Sequence, residues 1–452
     1  MAMLPLEIVS MVFYNCLPDV DESEPSGECQ SAHRQTLFKV GAVCKAWRQT
    51  VWNIPGFWRY IPLELGPSNI TDTPPIVTSW MERARHIPLS ISVFVSHRDC
   101  PLSDTGLKNF IRIANLFNTS SSRLENIVLK MPTNLLRLFA AQSPKLKSIS
   151  IYNNDDEQLI FNNLKEPYKP WVIVSYSERV GLANLNTKPR PSTLSINRVL
   201  LKSVHACWDN LVSVDTKDIN LEDIFEILRR APKLREFQIY ESRSPPYTLT
   251  ESIPHVPQND LESLDIICES AEFLNILFSR ISQLPWLTSL MIDVRIGQID
   301  CKCIAELMKR SSCPLDEFVI TGPLAADSDV LSMLKAMPYL TYLHISPNNK
   351  SDPNYTAKNI FECVSDTTRR RDAEIESEQN NMPSDALLPY LEFLSYFPNG
   401  PEDSKMIWDL KNTSNMTGVI QARCPDIDVC RCTIEVEMRP QGPFCIHYLP
   451  SG

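Results

Sequence analysis

The residues closest to a metal-ligating set are Cys301-x-Cys303 and Cys430-x-Cys432, the second followed by Cys445 and His447. A tetrahedral zinc site asks for two cysteine or histidine pairs at short spacing. Periodicity accounts better for the tail. Cys430, Cys432, Ile434, Val436 and Met438 alternate with Arg431, Thr433, Glu435, Glu437 and Arg439, the pattern of a half-buried strand, and Phe444, Ile446 and Tyr448 return as a second strand. Cys301 and Cys303 fall inside a helical run. For nucleophilic catalysis there is no G-x-S-x-G, no H-E-x-x-H, and no motif pairing any of the seven histidines with a nucleophile. Only 12 glycines occur, and neither phosphate-cradling glycine motif is present. No catalytic residue, no metal and no cofactor is expected.

The formal charge is −10 over 452 residues, a balance that disfavours nucleic acid, because phosphate neutralisation needs clustered lysine and arginine. Arg369-Arg370-Arg371 is followed at once by acids and is expected in a solvated loop. The first residues lack a basic leader and carry Pro5 and Glu7 within their apolar stretch, so a secretory signal is not expected. The 14 cysteines are then expected as reduced, mostly buried thiols. No apolar run approaches the ~20 residues that span a bilayer. The expectation is a protein of the cytoplasm, the nucleus or both, without a membrane partner.

What would remain is binding, and the N-terminus supplies its first surface. Leu4-Pro5 opens a helix with Glu7 near its positive end, and Ile8, Met11 and Val12 form a stripe that Val9, Phe13, Cys16 and Leu17 widen. Pro18 ends it. An acidic loop is expected from Asp19 to Glu28, then a second helix from about Gln35 with Leu37, Val40, Val43, Cys44 and Trp47 on one face. Trp47, Trp52 and Trp58 lie within twelve positions. About sixty residues in short helices cannot bury so much apolar surface alone. It must meet the rest of the chain or a partner. Trp52 and Trp58 are expected against the C-terminal part of the chain.

The order Leu-Pro-x-Glu-Ile, Phe-x-x-Cys-Leu-Pro, Val-Cys-x-x-Trp-Arg and Pro-x-x-Trp, at Leu4, Pro5, Glu7, Ile8, Phe13, Cys16, Leu17, Pro18, Val43, Cys44, Trp47, Arg48, Pro55 and Trp58, resembles the F-box of mushroom-forming fungi. It departs where Ile54-Pro55-Gly56-Phe57 replaces Thr-Pro-x-Leu. The resemblance covers roughly residues 1–65. It implies that Leu4, Pro5, Glu7, Ile8, Val43, Cys44 and Trp47 meet a Skp-family adaptor, and through it a cullin–RING ubiquitin ligase.

Beyond residue 80 the chain repeats. SPKLKSISI (143–151), APKLREFQI (231–239), LPWLTSLMI (284–292), CPLDEFVI (313–320) and MPYLTYLHI (337–345) share proline, then Leu-x-x and alternating apolar residues. Weaker copies begin at Leu124, Leu211, Leu261 and Leu391. From Leu211 through Leu234, Leu261, Leu287 and Leu315 to Leu340 the steps are 23, 27, 26, 28 and 25 residues. Helical runs lie between: 134–142, 221–230, 271–283, 301–310 and 327–336. A strand and a helix at this period point to a leucine-rich-repeat solenoid, with parallel strands on the concave face and helices on the convex face. The expected fold class is α/β. A three-helix module spans 1–65, a linker with a first repeat 66–120, and the solenoid 121–400, with insertions near 152–195 and 350–385. A cap with a β-hairpin-like tail spans 401–452.

Strand alternation separates core from display. Tyr152, Glu236, Gln238, Tyr240, Asp265, Asp293, Tyr342 and His344 are expected on the concave face, a mixed polar surface with tyrosines and no basic stripe, suited to a target protein. The expected function is substrate recognition for a ubiquitin ligase, with no chemistry done by the chain itself. The alternative is a repeat scaffold unrelated to ubiquitin, its N-terminal helices serving as a cap.

Overall fold

In the computed structural model, residues 5–17, 27–95, 102–153, 189–241, 260–347, 388–396 and 406–409 are described, apart from a few positions within those ranges. The expected tail strands, the arginine triplet and Leu4 lie outside them. The chain divides into two compact units, Met1–Ser242 with Tyr247–Leu261, and Arg243–Pro246 with Glu262–Gly452. Both are mixed α/β.

The first unit begins with α1 (Leu6–Cys16), α2 (Gly27–Ala42) and α3 (Lys45–Asn53). Among the described residues, seven parallel strands follow in chain order: β1 (Tyr60–Leu65), β2 (Leu89–Val95), β3 (Leu124–Met131), β4 (Ser148–Asn153), β5 (Thr193–Asn197), β6 (Ser213–Lys217) and β7 (Glu236–Glu241). Its other helices are α4 (Thr73–Arg83), α5 (Asp104–Thr119), the single turn α6 (Thr133–Leu136) and α7 (Leu221–Arg230). The parallel sheet thus starts at Tyr60, and the stretch 66–120 holds two helices and a strand.

The second unit has parallel strands β8 (Ser263–Ser270), β9 (Ser289–Ile296), β10 (Glu317–Gly322), β11 (Tyr342–Pro347) and β12 (Phe393–Tyr396), again in chain order, with β13 (Met406–Asp409) antiparallel at β12. Its helices are α8 (Ala271–Arg280), α9 (Cys301–Ser311) and α10 (Asp327–Leu334). Strands that neighbour one another in chain order, with helices in the connections, are compatible with a solenoid.

Local chemistry sets the helix bounds. Asn220 caps α7 by accepting from the Asp223 amide at 2.7 Å, and Glu222 and Asp223 at its start and Arg229 and Arg230 at its end oppose the helix dipole. Asp300 caps α9, accepting from the Lys302 amide at 3.0 Å, and Ser312 closes it in the left-handed conformation at φ 48°. The apolar faces read from sequence are the buried ones: Ile224, Phe225 and Leu228 in α7, and Ile304, Leu307 and Met308 in α9.

All nine signature leucines, from Leu124 to Leu391, are buried. A ladder one residue further on ties each repeat to the last. The amides of Lys147, Arg235, Thr288, Asp316, Thr341 and Glu392 donate to the carbonyls of Glu125, Val212, Glu262, Thr288, Asp316 and Thr341, at 2.7–2.9 Å. At the other end of β5 and β6, Arg198 and Asp218 both take positive φ, 54° and 53°, and pair through a 3.0 Å contact.

Candidate functional site

Pro5 is the N-cap of α1 rather than its first helical residue, and its carbonyl accepts from the Val9 amide at 3.1 Å. The first stripe splits by depth. Phe13 is buried, while Ile8, Met11 and Val12 face outward, Met11 at 62% exposure. Glu7 lies in the first turn of α1.

The single second helix expected from the sequence is two helices. The chain leaves α2 at Val43, and Cys44 turns fully extended at φ −159° to cap α3, its Sγ accepting from the Trp47 amide at 3.4 Å. Cysteine is not among the usual capping residues, which is why the break was missed. The first of the two helices also starts earlier, at Gly27, inside the expected loop.

The break decides where each apolar group goes. Leu37 and His33 turn inward; Val43, 61% exposed, and Cys44 are left on the surface. The His33 ring meets Tyr60 edge-on at 5.1 Å, which lays α2 over β1. His33 is buried, and burial lowers its pKa to about 4, with the Phe57 backbone acting in the opposite direction.

The three tryptophans have three roles. Trp58 is buried, its indole N–H donating to the Val51 carbonyl at 2.9 Å and its ring set edge-on to Trp80 of α4 at 5.6 Å. Trp52 is half exposed between cations, with Arg83 4.8 Å and Arg48 5.8 Å from its ring; Arg83 also covers Trp58 at 4.6 Å. Both therefore settle against α3 and α4. Trp47 packs on Phe13 at 4.8 Å yet stays 39% exposed. Tyr14 stacks toward Phe57 at 4.4 Å, close over Gly56, where a side chain would meet its hydroxyl.

A second surface lies on the strands. Along the first unit, Ser90, Asn126, Ser148, Thr193, Ser213 and Glu236 share one row, and Phe94, Lys130, Tyr152, Asn197, Lys217 and Tyr240 another. Gln238 stands in the row between, beside Asp215. The Tyr152 hydroxyl lies 3.0 Å from Ser195 Oγ, which is 3.0 Å from Asp215 Oδ2. Lys130 sits 5.3 Å from the Phe94 ring and Lys217 4.4 Å from Tyr240. Tyr152 and Asn197 separate the lysines, so they form no continuous basic stripe. In the second unit Asp265 pairs with Met291 and His344 with Val319 and Ser395; Tyr342 stacks on Phe393 at 6.0 Å. Burial raises the Asp293 pKa, opposed by Arg295. All eight expected display residues stand away from the core.

No family model and no curated protein matches this chain.

Among the described residues no three histidine, cysteine or acidic side chains gather as a metal site, and no helix is long and apolar enough to cross a membrane. Burial, then Asp300, pushes the Cys303 thiol up to about 11, and burial raises Cys313 as well. Both stay protonated near neutral pH and are poor nucleophiles.

Proposed function

We propose that the chain is a substrate-recognition adaptor of a ubiquitin ligase. A Skp-family protein would dock on the outer face of the N-terminal helices, and the strand faces would hold the target. The observation that carries this reading is the division of the module into two faces. His33, Leu37, Phe13 and Trp58 spend the inner face on the chain itself. Ile8, Met11, Val12, Val43 and Trp47 remain uncovered on the outer face. So many exposed large apolar side chains in one short helical module suit a protein contact. Three of them, Ile8, Val43 and Trp47, are named by the F-box resemblance, and so is the exposed Cys44. The chain would do no chemistry. It would raise the local concentration of target lysines near a ligase brought by the adaptor.

A cap role is favoured by a separate observation, the seating of His33 on Tyr60 of the edge strand β1, which covers an edge that would otherwise invite pairing. The inner face can cap while the outer face binds. Capture of a purified Skp-family adaptor separates the two. Met11→Asp with Val43→Asp, both more than half exposed, is expected to weaken capture by about 2 kcal/mol or more, roughly thirtyfold, with Tm unchanged. Equal capture by the variant leaves the cap alone.

A further inference from the structure

The entry edge of the second unit carries a feature outside both surfaces. Just before the buried leucines of β9, β10, β11 and β12 stand Trp286, Pro314, Tyr339 and Tyr390, all exposed, Trp286 at 61%. These strands are consecutive neighbours, so the four residues form one ridge. Tyr339 and Tyr390 already stack, ring centroids 6.3 Å apart and 17° from parallel. Just after the same leucines run Thr288, Asp316, Thr341 and Glu392, with Glu262 at β8 before them. The backbone ladder fixes this row. Carboxylates therefore recur on every second strand, at Glu262, Asp316 and Glu392.

Strands lie about 4.8 Å apart, so those carboxylates recur at about 9.6 Å. A polyproline II helix has three residues per turn and ~3.1 Å rise, a repeat of about 9.3 Å. The two periods match. Flat exposed rings are also what proline rings pack on. The geometry points to a proline-rich peptide with arginine or lysine at every third residue, lying along this edge. Its prolines sit on the ridge and its cations meet the acidic row. This inference stands independently of the adaptor reading, since it uses no residue of the N-terminal helices.

The test is fluorescence anisotropy with the full chain and a labelled peptide of four Pro-Pro-Arg repeats. Peptides of Gly-Ser-Arg and Pro-Pro-Glu repeats serve as comparators. The Pro-Pro-Arg peptide is expected to bind at least about tenfold tighter than either. Tyr339→Ser with Tyr390→Ser, and separately Glu262→Lys with Asp316→Lys, are each expected to weaken it about tenfold. Lys145→Glu in the first unit leaves it unchanged. Trp286→Ser, remote from the tyrosine pair, repeats the test if that pair disturbs folding. Absence of binding, equal binding of the Gly-Ser-Arg peptide, or indifference to the aromatic variants overturns the inference.

Discussion

Just before the buried leucine that opens a repeat, the first unit carries Arg123, Lys145, Asn210 and Lys233, whereas the second carries Trp286, Pro314, Tyr339 and Tyr390. Just after it stand Glu125, Lys147, Val212 and Arg235 in the first unit and Thr288, Asp316, Thr341 and Glu392 in the second. In the first unit Glu125 is neutralised by Lys147 at 2.5 Å and Arg59 at 3.3 Å. The leucines themselves are equally buried in both. One repeat plan thus supports two chemistries. Packing holds the inward positions to one residue type, while the outward ones are free to specialise, so any difference in binding between the units resides there.

The equivalence of the two cores is the part most open to attack. Leu234→Ala and Leu287→Ala each empty a fully buried site, and each is expected to cost about 3 kcal/mol. Denaturant unfolding followed by circular dichroism checks both, and a near-neutral result for one alone would end the claim of a shared plan. A difference between the units appears under acid. His33 is buried uncharged, with a folded pKa of about 4 against 6.5 unfolded. Its contribution is therefore whole above pH 6.5 and is lost progressively as pH falls toward 4. His33→Phe should abolish that loss, worth up to about 3 kcal/mol at pH 4. Melting curves at pH 7 and pH 4 measure it. If wild type and variant fall in parallel, the acid-sensitive group is elsewhere. A smaller effect sharpens the picture of the second unit. Gly322 has φ +133°, and a Cβ there would press on the Val294 carbonyl. Gly322→Ala is expected to cost about 2 kcal/mol of stability in the same unfolding assay.

Much of this plan was legible from the signature alone. Every Leu-x-x motif became a strand, because a buried leucine followed by alternation leaves the chain few other ways to hide its apolar side. Strands β1, β2 and β5 were not singled out. IPLSISVFV and STLSIN alternate and each has a nearby proline, Pro88 and Pro191, but neither has the leucine set two residues ahead of the alternation that made the others recognisable. Of the helical run 134–142, the described residues show one turn at Thr133–Leu136, and Phe139 packs in the core against Phe110 and Phe117. At the N-terminus the residues to be displayed were readable, but the bend at Cys44 that displays them was not, since a thiol rarely starts a helix. The aromatic ridge was invisible for another reason. Trp286, Tyr339 and Tyr390 are far apart in sequence, and only the parallel register sets them along one edge.

The pairing of β4 with β5 is regular, Ser148 against Thr193 through Tyr152 against Asn197, although 39 residues lie between the strands, from Asn154 to Ser192. Joining β9 to β10 takes 20, from Gly297 to Asp316. Closing a connection twice as long adds only about 0.6 kcal/mol. Where each strand hydrogen-bonds to its predecessor in the chain, extra length at a bend leaves the neighbouring hydrogen bonds intact. That junction is accordingly the natural port for grafting a fluorescent label or an affinity handle, and the point at which descendants of this chain can acquire new sequence without rebuilding the rest.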